Sequence, residues 1–314
     1  MCSGGDAPGM NPAIKKFVDY VYKCNQTPYF VYDGLEGLID GKIKQAQHKD
    51  VAGILHNGGA IIGSSRSKRF YDYKYRKIAF ENLQKHDIKG IIVLGGDGSY
   101  NALERLNSEF DIDCIGIPTT IDNDIYGTEY CLGVDTALNV IRSAVDNIRD
   151  TASTFKRAFV VEVMGRECGY LAAVTALSSG AEICVIPEMC FNKEIAGHTL
   201  KKEVKSGRRY ILAIAAEGSN RTQEIKEWLE KDIGMETRIT VLGHIQRGGN
   251  PTVKDRMMAF EFVVRGIDLL RSKQKVHHAI GYQKGEFIAM DIHKVNNGKY
   301  TIPSAITRDL HFLD

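Results

Sequence analysis

Three short polar segments stand where apolar runs give way to helical patterns, and each carries groups able to do chemistry. Ser3-Gly4-Gly5-Asp6-Ala7-Pro8-Gly9-Met10-Asn11 leads into an amphipathic stretch. Gly95-Gly96-Asp97-Gly98-Ser99 follows Gly90-Ile91-Ile92-Val93-Leu94, and Pro118-Thr119-Thr120-Ile121-Asp122-Asn123-Asp124 follows Cys114-Ile115-Gly116-Ile117. Glycines let backbone N–H groups approach an anion closely, and a helix N-terminus adds a favourable field for phosphate. Asp97, inside such a loop, is suited to hold Mg²⁺ directly or through water beside phosphate oxygens. In the third segment a carboxylate can deprotonate an attacking hydroxyl, and Thr120 can donate to a phosphoryl oxygen.

Charged and imidazole groups follow three later apolar runs. Met164-Gly165-Arg166 closes the run from Ala158, Glu217-Gly218 closes Tyr210 to Ala216, and His244-Ile245-Gln246-Arg247-Gly248-Gly249 follows Ile239 to Leu242. Arg157 and Arg238 stand just before two of these runs. Together they supply Arg and His groups for a phosphate and carboxylates for hydroxyls. Taken singly, each has a structural alternative: a glycine turn, a helix cap at Asp97, an Asp-Asn-Asp turn or a solvated charge. The phosphate loop Gly-x₄-Gly-Lys-Ser/Thr is absent, and Asn101 breaks the Gly-x-Gly-x-x-Gly dinucleotide pattern.

The elements that must position these groups alternate. Tyr29 to Tyr32, Gly90 to Leu94, Cys114 to Ile117, Ala158 to Met164, Ile183 to Pro187, Tyr210 to Ala216 and Ile239 to Leu242 read as short buried strands. Helical patterns fall near 74–86, 134–149, 193–206, 221–231 and 253–271. Another holds Ile14, Phe17, Val18, Val21 and Tyr22, with Pro12 near its start. Alternation of this kind predicts mostly parallel sheets with helices on both faces and ligands beyond the C-terminal strand ends. At 314 residues the chain suits two domains, with a boundary between the Gly133 region and Ala158. The first loop lacks its preceding strand, so Met1 reads as an internal methionine with about one strand's length missing upstream.

A net charge of +2 gives no reason to expect a nucleic-acid partner. No apolar run approaches the roughly 20 residues of a membrane helix, and no secretory signal is evident. Seven cysteines without a Cys-x-x-Cys pair read as reduced thiols of a cytoplasmic protein. Adjacent His277 and His278 read as surface or packing residues.

Taken in order, Ser3 to Asn11, Gly95 to Ser99, Thr120 to Asp124, Val160 to Arg166 and Val241 to Gly249 resemble the motifs of bacterial ATP-dependent 6-phosphofructokinases, the phosphofructokinase A family. The resemblance runs from Ser3 to about Leu270. It implies the phosphofructokinase fold: two Rossmann-like three-layer α/β/α domains with mostly parallel sheets and the active site between them. Residues 1–133 plus 246–296 would bind nucleotide, and 134–245 plus 297–314 the sugar phosphate. The activity implied is transfer of the ATP γ-phosphoryl group to the 1-hydroxyl of fructose 6-phosphate in glycolysis, with Mg²⁺, by a homotetramer whose interface completes each site.

By the same resemblance Asp122 would be the general base, and Thr120 would contact the transferred group. Asp97 would bind Mg²⁺. Gly5, Arg66, Ser67, Gly96, Gly98 and Ser99 would hold the donor phosphates, with Arg66 and Arg166 offsetting transition-state charge. Thr120, Ile121, Met164, Gly165, Arg166 and Glu217 would line the sugar. His244 and Arg247 would grip its 6-phosphate, and Arg157 and Arg238 would reach it from a neighbouring subunit. In this family Gly98 favours ATP, whereas Asp there would crowd the α-phosphate. Thr119 stands where pyrophosphate enzymes carry Lys and many ATP enzymes Gly. Lys15, Arg149, Gly180, Glu182, Arg208 and Arg209 fit an effector site for nucleoside diphosphate or phosphoenolpyruvate. Lys15, Asp19, His48 and Ser206 replace basic residues usual there, which implies weak or altered allostery. The rival readings are a pyrophosphate-dependent phosphofructokinase, an NAD or lipid kinase sharing the nucleotide loop, and a non-catalytic regulatory subunit.

Overall fold

The computed structural model describes residues 1–272 and 275–310. The chain divides into two compact units. One contains Met1–Thr120, Ile125–Thr136 and Arg247–Tyr300; the other contains Ile121–Asp124, Ala137–Gln246 and the described residues 301–310. The expected nucleotide and sugar segments divide at 133/134, 245/246 and 296/297, and residues 311–314 of the second lie outside the described residues.

In chain order the first unit opens with α1 (Met10–Lys23), β1 (Tyr29–Val31), α2 (Gly34–Ile39), β2 (Ile43–Gln45), α3 (Tyr73–Lys85), β3 (Gly90–Gly95), α4 (Asp97–Glu109) and β4 (Asp113–Pro118). Helix α5 (Val134–Phe155) begins there and continues in the second unit. That unit continues with β5 (Ala158–Val163), α6 (Tyr170–Ser179), β6 (Ile183–Val185), α7 (Lys193–Lys205), β7 (Ile211–Ala216), α8 (Thr222–Trp228) and β8 (Thr237–Val241). The chain returns to the first unit as α9 (Val253–Leu270), β9 (His277–Gln283), β10 (Glu286–Asp291) and α10 (Ile292–Asn297). Helix α11 (Ser304–Leu310) belongs to the second.

The main sheet of the first unit has the order β10-β9-β4-β3. Strands β3, β4 and β9 run parallel, and β10 is antiparallel to β9. Beside β3, Met1 to Ser3 continue the parallel ladder: Ser3 N–H donates to Leu94 O at 2.9 Å and Leu94 N–H to Met1 O at 2.9 Å. Strands β3 and β4 are continuous apolar runs because both faces are covered. Helix α4 packs on these strands, and α9 packs on β4 and α1, with Tyr100 and Phe262 fully buried. The sheet of the second unit, β6-β7-β5-β8, is entirely parallel. Its core joins Val160, Val185, Leu200, Ala213 and Ile225 to Trp228, whose ring meets Phe191 edge-on at 5.7 Å.

Two expected elements need correction. Tyr29 to Tyr32 was expected in the series of buried strands, but β1 spans three residues and pairs antiparallel with β2 in a separate sheet. Tyr32 N–H donates to Lys42 O at 3.0 Å across the base of the link, so the chain returns beside itself and the strands pair antiparallel. The helix expected over 221–231 ends at Trp228 and passes into a π-helical turn, Leu229–Ile233. No described helix is long and apolar enough to cross a membrane.

Candidate active site

In the first unit, Gly4, Gly5, Asp6, Gly59, Ala60, Ser64, Arg66 and Arg247 line a cavity of about 400 Å³. Two loops face each other across it. Gly4 N–H donates to Ser65 O at 3.2 Å, and Ser64 Oγ donates to Gly4 O at 3.0 Å. Arg247 Nη1 lies 2.7 Å from where a β-carbon on Gly5 would stand, so a side chain at position 5 would push the guanidinium aside. The same group is 3.8 Å from Asp6 Oδ1, and Arg247 Nε is buried without a hydrogen-bond partner. Two guanidiniums around one cavity suit phosphate-bearing ligands.

The N-terminus of α4 belongs to the same unit. Gly96 is its cap residue in extended conformation, and Asp97 opens the helix from an exposed position. A β-carbon on Gly98 would meet nothing within 4 Å, so the backbone there faces open space. The Thr120 side chain lies 3.8 Å from the position of a β-carbon on Gly96. Ser99 is buried and turned inward: its hydroxyl donates to Ser3 O at 3.1 Å and its amide to Gly96 O at 2.9 Å. Ser67 accepts from Phe70 N at 3.1 Å and hydrogen-bonds Glu36, which with Arg69 draws the Glu36 carboxyl below its ordinary value. In these hydrogen bonds both serines shape the loops. No group of three or more His, Cys, Asp or Glu side chains suited to a metal occurs among the described residues. A single carboxylate such as that of Asp97, at the N-terminus of α4, is compatible with Mg²⁺, which keeps waters and takes one or two carboxylates plus phosphate oxygens.

In the second unit Asp122 is 4% exposed, with Oδ2 3.4 Å from Arg166 Nε. The Met164 to Arg166 loop leaves the C-terminal end of β5 and is clamped on two sides. Glu217, at the end of β7, accepts from Gly165 N at 3.2 Å and Arg166 N at 2.8 Å through one oxygen. Gln246, fully buried, accepts from Met164 N at 3.1 Å and donates to Gly243 O at 2.8 Å. Arg166 itself has φ +52°, a strained conformation for a non-glycine residue. A β-carbon at position 218 would stand 1.8 Å from Arg166 O, so the loop can be held this closely only against glycine. Arg166, Glu217, Glu162, Thr222 and Gln223 share an open groove of about 750 Å³.

Asp122, Met164, Gly165, Arg166 and Glu217 are thus gathered at C-terminal strand ends, beside buried Ile121. His244 and Arg247 are three residues apart on the single 3₁₀ turn Gly243–Arg247. Arg157 and Arg238 are elsewhere, at the N-terminal ends of β5 and β8, where both pair with Glu236 at 2.8 and 2.5 Å. Of the expected effector residues, Lys15 pairs with Asp19 at 3.0 Å, and Arg208 with Glu182 at 2.5 Å and Glu203 at 2.7 Å. Arg149 has Nε and Nη2 buried without hydrogen-bond partners, while Gly180 caps α6 in the left-handed conformation. Gln246 and Glu236 were not among the expected site residues. An uncharged amide between His244 and Arg247 was the available signal for Gln246; Glu236 offered none beyond its place beside Arg238.

A family model described as Phosphofructokinase matches residues 1–270. The ATP-dependent 6-phosphofructokinase of Sulfurovum sp. (strain NBC37-1) is 56% identical over 305 residues, covering 96% of this chain and 92% of that protein. Among solved structures, phosphofructokinase from Saccharomyces cerevisiae is similar with a TM-score of 0.89 at 31% identity; all of this chain is covered, and it spans 47% of the yeast chain. A pyrophosphate-dependent phosphofructokinase from Marinobacter aquaeolei has a TM-score of 0.85 at 19% identity, covering 99% of this chain and 90% of that one, a likeness of fold alone.

Proposed function

Because the chain belongs to the phosphofructokinase family, we infer that it transfers the terminal phosphoryl group of ATP to the 1-hydroxyl of fructose 6-phosphate. The observation that carries the acceptor half of this reading is the Asp122–Arg166 pair at 3.4 Å, with the Arg166 backbone clamped by Glu217. Asp122 takes the proton of the 1-hydroxyl. That oxygen bonds to the γ-phosphorus as the bond to the β-phosphate oxygen breaks, and ADP leaves. Arg166 and Arg66 offset the charge of the transferred group, and Thr120 donates to it. Met164, Gly165 and Glu217 hold the sugar, and His244 and Arg247 its 6-phosphate.

The first unit holds the donor. Gly5, Gly96, Gly98 and Arg66 cradle its phosphates, and open space over Gly98 supports a nucleotide rather than bare pyrophosphate. Ser67 and Ser99 act by shaping that cradle. Mg²⁺ at Asp97 would neutralise phosphate charge when bound. Arg157 and Arg238, at the strand ends opposite Arg166, are assigned to the 6-phosphate of a neighbouring subunit in a homotetramer.

Formation of fructose 1,6-bisphosphate with Mg²⁺, ATP and pyrophosphate being offered separately, tests the reading. Turnover with ATP alone is expected; turnover with pyrophosphate alone would overturn the donor assignment. Asp122→Ala should lower kcat by about 10²–10⁴-fold while fructose 6-phosphate still binds. Unchanged turnover would remove Asp122 as the base.

A further inference from the structure

Behind the donor cavity stands a buried amide to which none of the roles above applies. Asn11, in the first turn of α1, is 1% exposed. Its Nδ2 donates to Asn57 O at 3.1 Å and Gly58 O at 3.0 Å, and its Oδ1 accepts from Ile61 N at 2.8 Å. One loop therefore engages both ends of the amide. Residues 57–63 form no helix or strand and include Gly58, Gly59 and Gly63, so regular backbone hydrogen bonding does not fix their path.

This loop runs directly into Gly59, Ala60, Ser64 and Arg66, one wall of the cavity; Gly4, Gly5 and Asp6, just ahead of α1, form the other. Ser64 and Ser65 join the walls at Gly4, and Asn11 joins them again from the helix that follows it. A leucine of similar volume would leave two carbonyls and one amide without their partner. An aspartate would keep the acceptor for Ile61 and lose both donors.

We propose that Asn11 is a positioning residue for the phosphoryl donor, fixing the spacing of the two walls so that Gly5 and Arg66 meet a polyphosphate together. The proposal rests on the donor reading above. Asn11 acts through the 57–61 loop, and its loss is felt in the donor KM and in kcat, with the fructose 6-phosphate KM unchanged.

The matched control is Asn82 in α3. It is 7% exposed, and its Nδ2 donates to Leu38 O at 3.0 Å and Ile39 O at 2.9 Å at the end of α2. It has the same chemistry but no part in the cavity lining. Wild type, Asn11→Ala, Asn11→Asp and Asn82→Ala are compared as full chains, with ATP and fructose 6-phosphate varied separately and Tm measured for each. Asn11→Ala should raise the ATP KM about tenfold, the equivalent of one lost hydrogen bond, and leave the sugar KM within about twofold. Asn11→Asp should show a smaller rise in the same direction. Asn82→Ala should lower Tm and leave both KM values alone.

The proposal is overturned if Asn11→Ala matches Asn82→Ala in ATP KM, or if both KM values rise together. Should Asn11→Ala fail to fold, an unchanged ATP KM in Asn11→Asp overturns it equally. Failure of both Asn11 variants to fold, with Asn82→Ala folded, assigns Asn11 a purely structural role. Wild-type turnover with ATP in the same assay keeps this test separate from the donor reading itself.

Discussion

Under the proposed donor reading the choice of donor turns on Gly98, where the space is open and the carboxylate of Asp97 is its neighbour. Gly98→Asp puts a second negative charge into that space and should raise the ATP KM at least about tenfold, read from initial rates at fixed fructose 6-phosphate. Glu217 gives a test on the acceptor side. Its carboxylate accepts two backbone N–H groups, charge-assisted bonds worth about 1.5–3 kcal/mol each. Glu217→Ala should therefore raise the fructose 6-phosphate KM by about 100-fold or more, and Glu217→Gln, which keeps an acceptor, by less. An equal effect of the two variants would place the role of Glu217 outside the clamp. Asp122, Arg166 and Glu217 were legible in the sequence because each follows an apolar run with a charge that the run itself cannot use. Asn11 and Gln246 were harder to single out, since an amide, even one set between His244 and Arg247, does not name its partners, which lie 46 to 50 and 82 residues away.

Among the elements, α5 and α9 hold each other's N-termini. Asp255 in α9 is fully buried and accepts from Gly133 N at 2.9 Å, Thr136 N at 2.8 Å and Thr136 Oγ1 at 2.6 Å. In return Thr252, the cap of α9, donates through Oγ1 to Asp135 at 2.7 Å. Burial pushes the Asp255 carboxyl above its ordinary value, and the three donors oppose that shift. Asp255→Ala leaves the donors orphaned and should cost about 2–4 kcal/mol, measured by urea unfolding. A loss below about 0.5 kcal/mol would mean that water replaces the carboxylate. Strands β3, β4, β5 and β7 were readable as apolar runs, because parallel strands buried on both faces carry no alternation. Helix α6 was not: it is apolar nearly all round and buried, so it lacks a helical stripe. The β9–β10 hairpin escaped as well, since its exposed faces mix His, Tyr, Gln and Glu.

At the scale of the whole molecule, pH acts on a histidine in β9. Burial, first of all, holds the His277 imidazole below its ordinary value of 6.5; Asp291 and Glu104 oppose this, and His278 and His293 add to it. The folded form therefore binds that proton more weakly than the unfolded chain. The stabilisation is present above about pH 6.5 and is lost as pH falls through that value toward the lower folded one. Tm should fall between pH 7 and 5.5, and more steeply in wild type than in His277→Asn; parallel curves would exclude the imidazole as the cause. Regulation is expected to be weak. The Asp19 carboxylate already engages Lys15 at 3.0 Å and His48 at 3.1 Å, while Arg208 is taken by Glu182 and Glu203. ADP or phosphoenolpyruvate should shift half-saturation by fructose 6-phosphate less than about fivefold, the low end of ordinary allosteric coupling. Strong activation with sigmoidal kinetics would overturn that expectation. The return of residues 247–300 to the first unit also sets a timetable for synthesis. Val276, at the mouth of β9, hydrogen-bonds Asp113, 163 residues earlier. At about 5–20 residues per second, β4 leaves the ribosome roughly 8–33 s before the strand that covers its edge. Nascent chains stalled short of residue 277 should therefore be the ones that trigger-type chaperones hold and proteases cut, even when every residue of the catalytic loops has already been made.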